Sequence, residues 1–235
     1  MTCTLIGCTL NEIEAVQVVL PALRKQPLDE ILIVDGGSTD GTVEWCRANG
    51  FRVIDHRSGG YGSSIRAGVA AATGDVIIEF PPDGNSDAAR IPALMAEIGR
   101  GSDFVIVSRY KDGARSYDDD FMTSLGNWLF TFMTNRLFKT KYTDVLVGYR
   151  GYRKRAFEKL NWDASGLSWP LQSAVRFAQV PGVRISEIGG DEPDRIGGVR
   201  KMRVFRTGWE ILKLLVREYR LSKRPGAVLR TQARD

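Results

Sequence analysis

Histidine is nearly missing from this chain: His56 is the only one in 235 residues. A zinc centre built on several imidazoles is therefore excluded, and a Ser-His-Asp hydrolase would rest wholly on that one residue. Cysteine is also scarce. Cys3, Cys8 and Cys46 are odd in number and lack C-x-x-C spacing, so they read as small reduced core residues. No apolar run reaches the length of a bilayer span, and no secretory leader pattern opens the chain. These absences lead to the expectation of a cytoplasmic protein, either free or peripheral on the cytoplasmic face of the membrane. No internal repeat or low-complexity tract is visible. Any chemistry should run on carboxylates, a hard metal ion and basic side chains.

What is present is ordinary for a globular protein: 43% hydrophobic and 26% charged residues, in a length that suits one sizeable α/β domain. The net charge is +5, and the stretch from Arg195 to Arg234 is dense in Arg and Lys and poor in acids. A basic end of this kind serves nucleic acid, anionic lipid or a polyphosphate ligand, and charge alone does not choose among them.

The first half alternates strand-like and helix-like segments. Thr2 to Thr9, Ile31-Leu-Ile-Val34, Arg52 to Asp55, Val76 to Phe80 and Asp103 to Val107 read as strands. Between them, Glu12 to Arg24, Thr42 to Ala48, Ser64 to Ala72 and Arg90 to Arg100 read as helices. Such a βαβ series predicts a mostly parallel, Rossmann-like sheet flanked by helices. Farther on, the pattern predicts a helix over Phe121 to Phe138, strands over Val145 to Tyr152 and Val183 to Ile188, and a Gly- and charge-rich loop from Gly189 to Met202. An amphipathic helix over Val204 to Arg220 and a basic tail follow. That helix fits two settings, lying on an anionic membrane or packing on the domain with a solvated basic face.

Ligands in parallel α/β sheets bind beyond the carboxyl ends of the strands. The loops there carry polar or glycine residues at one strand end after another. Asn11-Glu12 follows the first strand, and Asp35-Gly-Gly-Ser-Thr-Asp-Gly-Thr42 the second. Gly59-Gly60-Tyr61-Gly62 follows the third, and Pro81-Pro-Asp-Gly-Asn-Ser-Asp87 the fourth. Asp35, at a strand end, is placed to accept hydrogen bonds from a nucleobase or ribose, and Asp40 to cap the next helix.

Taken jointly, these loops resemble the inverting family 2 glycosyltransferases of GT-A fold. Gly74-Asp75, Ser108-Arg109-Tyr110, Asp144-x-x-x-Gly148-Tyr-Arg150 and Arg195-x-x-Gly198-x-Arg200-Lys201 extend the match. The last two elements point to the dolichyl-phosphate mannose synthase branch. The resemblance implies a single GT-A domain over residues 1–203, with a nucleotide-binding half to about 110 and an acceptor half beyond it. The helix and tail of 204–235 follow. It implies transfer of a sugar from a UDP- or GDP-sugar, with inversion, to a polyprenyl phosphate or a glycan hydroxyl in cell-envelope or polysaccharide biosynthesis.

The resemblance further implies that Asn11, Glu12, Asp35, Gly37, Ser38 and Gly62 line the donor nucleotide. Asp83 and Asn85 match the metal motif and would hold Mg²⁺ or Mn²⁺ through hard oxygen ligands. Arg195, Arg200 and Lys201 match a loop that closes over the donor diphosphate, where cations stabilise the leaving group. Three like charges and several glycines predict that this loop stands open without donor. Arg109 and Arg115 are the candidate ligands of an acceptor phosphate. Asp144 is the candidate general base, which only a hydroxyl acceptor needs.

The sequence departs from the family pattern in three places. Pro81 replaces the first metal-motif Asp, with Glu79 as a substitute or, equally, a strand salt bridge or cap. Arg200 replaces a serine. The acidic run Ser116-Tyr-Asp-Asp-Asp120 stands where an arginine would meet the lipid phosphate, and its plain alternative is helix capping. Two other functions compete. One is a nucleotide-sugar-binding protein without transferase activity. The other is a nucleotidyltransferase on a similar sheet, which lacks its Gly-rich basic loop here. A nucleic-acid partner is not expected, since the acidic loops would go unexplained.

Overall fold

A computed structural model describes residues 1–57, 59–197, 202–224 and 226–229. Among these, seven strands form one sheet: β1 (Cys3–Thr9), β2 (Glu30–Asp35), β3 (Arg52–Asp55), β4 (Val76–Glu79), β5 (Phe104–Ser108), β6 (Arg150–Arg153) and β7 (Ile185–Gly189). Their order is β3-β2-β1-β4-β6-β5-β7, and all neighbours are parallel except that β6 runs antiparallel to β4 and β5. The apolar runs of β1, β2, β4 and β5 are buried because helices cover both sides of the sheet.

The helices are α1 (Ile13–Leu23), α2 (Thr42–Ala48), α3 (Tyr61–Ala71), α4 (Ile91–Gly99), α5 (Phe121–Phe138), α6 (Lys154–Phe157), α7 (Trp169–Ala178) and α8 (Val204–Ser222). Close approach to the sheet depends on missing side chains at two points. A Cβ on Gly68 of α3 would stand 2.8 Å from Ile6, and one on Gly151 of β6 would stand 2.4 Å from Leu94 of α4. Among the described residues no helix is long and apolar enough to cross a membrane.

Two elements differ from the sequence expectation. The strand expected over Val145 to Tyr152 begins only at Arg150. Upstream, the Asp144 carboxylate accepts the N–H groups of Leu146 and Val147 at 3.2 Å each, which turns the chain and withholds those donors from a ladder. The α7 helix was not expected. Every residue from Trp169 to Phe177 is buried, including its polar stripe of Gln172, Ser173 and Arg176, which meets Asp163 and Glu218 instead of water. Its Arg176 is paired with Glu218 of α8 at 2.7 Å, and α8 buries Ile211, Leu214 and Leu215 in the common core. The C-terminal helix therefore packs on the domain.

Glu79, the suggested substitute metal ligand, points into the core. It lies opposite Arg150 across the β4–β6 pair and is fully buried. Tyr152 Oη donates to it at 2.9 Å and Trp169 Nε1 at 3.0 Å. Burial pushes its carboxyl up to about 7, against the pull of Arg150. The fold therefore binds this proton more tightly than the unfolded chain does, and stability should fall as pH rises from about 4.5 through about 7. We expect Glu79→Gln to raise the melting temperature relative to wild type at pH 8 and to change it little at pH 5. Equal effects at both pH values would refute this.

Candidate active site

The loops after β1 and β2 are fastened to each other. Asn11, with φ 53, donates its N–H to Ser38 Oγ at 2.8 Å and accepts the Thr39 N–H on Oδ1 at 2.8 Å. The Ile13 N–H reaches Asp40 at 3.0 Å, and the Glu12 N–H reaches Thr42 Oγ1 at 3.1 Å. Asp40 also accepts the Thr42 N–H at the start of α2, the capping role expected of it.

Asp35, expected to meet the nucleotide, is engaged by its own turn. Its carboxylate is buried and accepts the N–H groups of Gly37 and Ser38 at 2.8 Å each, and the Thr9 and Ser38 hydroxyls. A carboxylate with four donors on it braces the turn and has little capacity left for a base or ribose. Gly37, at φ 104, makes that turn possible. Gly62 is likewise a packing glycine. A Cβ there would stand 2.4 Å from the Ala164 carbonyl, so it seats α3 against the chain before α7.

A second cluster joins the fourth loop to the expected lid. Arg195 donates to Asp83 at 2.9 Å and to Glu12 at 3.2 Å, and the Ile196 N–H donates to the Asp83 carbonyl at 2.8 Å. Gly84, at φ +90, leaves the space that Ile196 fills: a Cβ there would lie 2.5 Å from it. Burial raises the Asp83 carboxyl above its usual range, partly offset by Arg195. Asn85 Nδ2 donates to Glu192 at 3.3 Å. The described part of the loop therefore lies down on the metal motif rather than standing open. Its cation does not repel its surroundings, because Glu12 and Asp83 neutralise it. The other two expected cations, Arg200 and Lys201, lie outside the described residues.

The third cluster holds the two residues expected to serve the acceptor, and engages both with protein partners. Arg109 is buried and grips Asp144 through Nε at 2.6 Å and Nη2 at 3.0 Å. Its Nη1 faces Asp119 and Glu192 at 3.2 Å each. Three carboxylates thus engage the guanidinium on which an acceptor phosphate was expected. Asp144 is fully buried and also accepts backbone N–H groups from Arg109, Leu146 and Val147, so it has no lone pair aimed at a substrate. These bonds are the geometry of a brace, in contrast to the general base the sequence led us to expect. Arg115 is exposed, with its backbone tied to Asp191 and Glu192.

Two acids of the run have structural partners. Asp120 caps α5 by accepting the Thr123 N–H at 2.7 Å, and Asp119 takes Arg109, Tyr110 Oη at 2.6 Å and Asn127 at 2.8 Å. Sequence reading missed Glu192. It accepts from Arg109, Asn85 and Ser116 and links the metal motif to the acceptor side. Its position three residues before Arg195 was the available signal. Burial raises its carboxyl above the usual range, against the pull of Arg109.

Donor chemistry tests whether a metal fits. Asp83 and Asn85 offer hard oxygens, and a buried carboxylate with a raised proton affinity favours a cation beside it. Among the described residues no three His, Cys, Asp or Glu side chains converge as a metal group. The residues thus fit a hard divalent ion only when a ligand's oxygens complete its shell.

Residues 4–161 match the family described as "Glycosyl transferase family 2". An undecaprenyl-phosphate mannosyltransferase of Micrococcus luteus is 28% identical over 208 residues, covering 83% of this chain and 84% of that protein. A dolichyl-phosphate hexose transferase of Haloferax volcanii is 29% identical over 214 residues, covering 89% and 90%. Among solved structures, glucosyl-3-phosphoglycerate synthase from Mycobacterium tuberculosis was determined with Mn²⁺, UDP-glucose and phosphoglyceric acid. It superposes with a TM-score of 0.73 at 20% identity, covering 93% of this chain and 79% of that one. That last likeness is one of fold.

Proposed function

The chain belongs to glycosyl transferase family 2, and from that premise we propose that it moves a hexose from a nucleoside diphosphate sugar, with inversion, to a polyprenyl phosphate. Its sheet and helices form the GT-A fold. The names of two relatives, a polyprenyl-phosphate mannosyltransferase and a dolichyl-phosphate hexose transferase, support the acceptor class.

One observation carries the choice of acceptor: Asp144, the candidate base, is locked in a two-pronged pair with Arg109. A phosphate acceptor is already anionic and needs no base, whereas a sugar hydroxyl does. In a single displacement, an acceptor phosphate oxygen attacks the anomeric carbon as its bond to the diphosphate breaks, and the nucleoside diphosphate departs with the electron pair. Arg115 is an exposed cation on the acceptor side that would draw in the lipid phosphate.

On the donor side, Arg195 Nε is buried with no hydrogen-bond partner among the described residues. Such an orphan donor beside Asp83 supports a diphosphate oxygen as its missing partner. Mg²⁺ or Mn²⁺, held by Asp83 and Asn85, would supply positive charge to the leaving diphosphate. On this reading residues to about 110 carry the donor, residues 111–203 the acceptor, and α8 lends peripheral membrane contact.

Glu192 favours a second reading. Its raised proton affinity and its place between Asn85 and Arg109 suit a general base for a hydroxyl acceptor. A panel of GDP- and UDP-hexoses with Mn²⁺, offered either a polyprenyl phosphate or a free glycan, separates the two. We expect product only on the polyprenyl phosphate, and Glu192→Gln should keep that activity. Transfer to the glycan alone, abolished in Glu192→Gln, would overturn the lipid-phosphate reading.

A further inference from the structure

The α5 helix is built inside out. Its buried stripe is Thr123, Asn127, Thr131 and Thr134, all polar. Its exposed stripe is Phe121, Met122, Leu125, Trp128, Leu129 and Phe132, with Phe121 79% and Trp128 62% exposed. These positions recur at helical spacing, so one continuous face is apolar and outward. A helix bathed in water has the opposite arrangement. The inward face is anchored by polar bonds: Asn127 donates to Asp119, and Thr131 Oγ1 accepts the Val145 N–H at 3.3 Å. The orientation is therefore fixed by the fold.

α8 lies beside it, with Tyr219 edge-on to Phe138 at 6.2 Å. α8 exposes its own apolar stripe, Phe205, Trp209 and Val216, with Phe205 84% exposed. A shallow groove along this stripe is lined by Trp209, Leu212, Val216, Lys213, Arg217 and Arg220. Residues 202–224 carry seven Lys or Arg against two Glu, and one of those, Glu218, is buried against Arg176. α5 itself carries a single charged side chain, Arg136.

We propose that the joined outer faces of α5 and α8 dock on an anionic phospholipid bilayer. Their aromatic and aliphatic side chains enter the boundary between headgroups and acyl chains, and the cations of α8 meet the lipid phosphates. Exposed Trp and Phe on one face with Lys and Arg at its margin is the composition such a surface binds. A second copy of the chain is a poorer occupant, because seven cations would face seven. The polyprenyl-phosphate reading already gives α8 a membrane contact. This inference adds α5 as the main contact, and it rests on that surface rather than on the donor or acceptor. α5 begins directly after the segment that holds Asp119 to Arg109, so docking would bring the acceptor side of the site to headgroup level.

The test is flotation of the full chain with vesicles of phosphatidylcholine, alone or mixed with phosphatidylglycerol. Wild type should float with the mixed vesicles and show a blue shift of tryptophan emission. Trp128→Ser combined with Phe132→Ser should weaken that binding by tenfold or more without lowering the melting temperature, and Lys213→Glu with Arg220→Glu should remove the preference for phosphatidylglycerol. Absence of wild-type binding, or unchanged binding in the Trp128/Phe132 variant, would overturn the proposal. So would a solution dimer that this variant dissolves. Transfer to a short, water-soluble isoprenyl phosphate is measured in parallel. If it persists while vesicle binding fails, docking alone is wrong; if it fails while docking holds, the acceptor reading is wrong.

Discussion

Asp83→Ala is expected to lower sugar transfer by about 10²- to 10³-fold, the scale on which an enzyme loses a preorganised electrostatic element of its transition state. The residue touches Arg195 through its carboxylate and Ile196 through its backbone carbonyl. The substitution removes the first contact and spares the second, so the loop should keep its seat and the melting temperature should change little. Chelation with EDTA should reproduce the loss in wild type and add nothing in the variant. If EDTA-treated wild type transfers sugar at full rate, Asp83 serves only as an anchor for Arg195.

Arg195→Ala separates the two partners further. Negative charge on the diphosphate peaks as the glycosidic bond breaks, so the variant should lose more in transfer rate than in donor affinity. It also leaves Asp83 without the guanidinium that offsets its burial. The Asp83 carboxyl then rises further above its ordinary range, and a carboxyl must be ionised to hold a metal. The acid limb of the rate profile should accordingly move to higher pH in Arg195→Ala. An unmoved limb would mean that another group sets it.

The strands with long apolar runs were legible because burial on both faces leaves an unbroken hydrophobic signature, as in Ile31 to Val34. α7 was harder to read: it is short, and its polar stripe of Gln172, Ser173 and Arg176 is buried against Glu218 and Asp163, so no solvated charged face marks it. The loops that gather at the strand ends could be found from their glycines and acids, and the structure does bring Glu12, Asp83 and Arg195 together. Which member of each loop faces a ligand could not be read. Asp35 and Asp144 look alike in sequence to any catalytic carboxylate, and only the count of donors around each shows that both are engaged. The inward polar stripe of α5 was also invisible, because an aromatic-rich helix is ordinarily read as core.

Arg109→Ala should destabilise the fold severely, on the order of 3–5 kcal/mol, because it strips the counter-ion from carboxylates held away from water. Asp144 is fully buried, and Asp119 and Glu192 flank the same guanidinium. Urea unfolding should show the loss at neutral pH. The loss should shrink on acidification, where protonation removes the uncompensated charge. The companion variant Asp144→Asn decides between brace and base. As a brace, Asp144 keeps Arg109 two-pronged and ties the Leu146 and Val147 N–H groups, so the amide variant should unfold at lower urea. Its transfer to polyprenyl phosphate should survive at temperatures where it remains folded. As a base, Asp144 would give the reverse result: an unchanged urea midpoint with transfer abolished. Arg109 would then be the side chain that tunes a catalytic carboxylate, and the case for an acceptor that needs no base would fall with it.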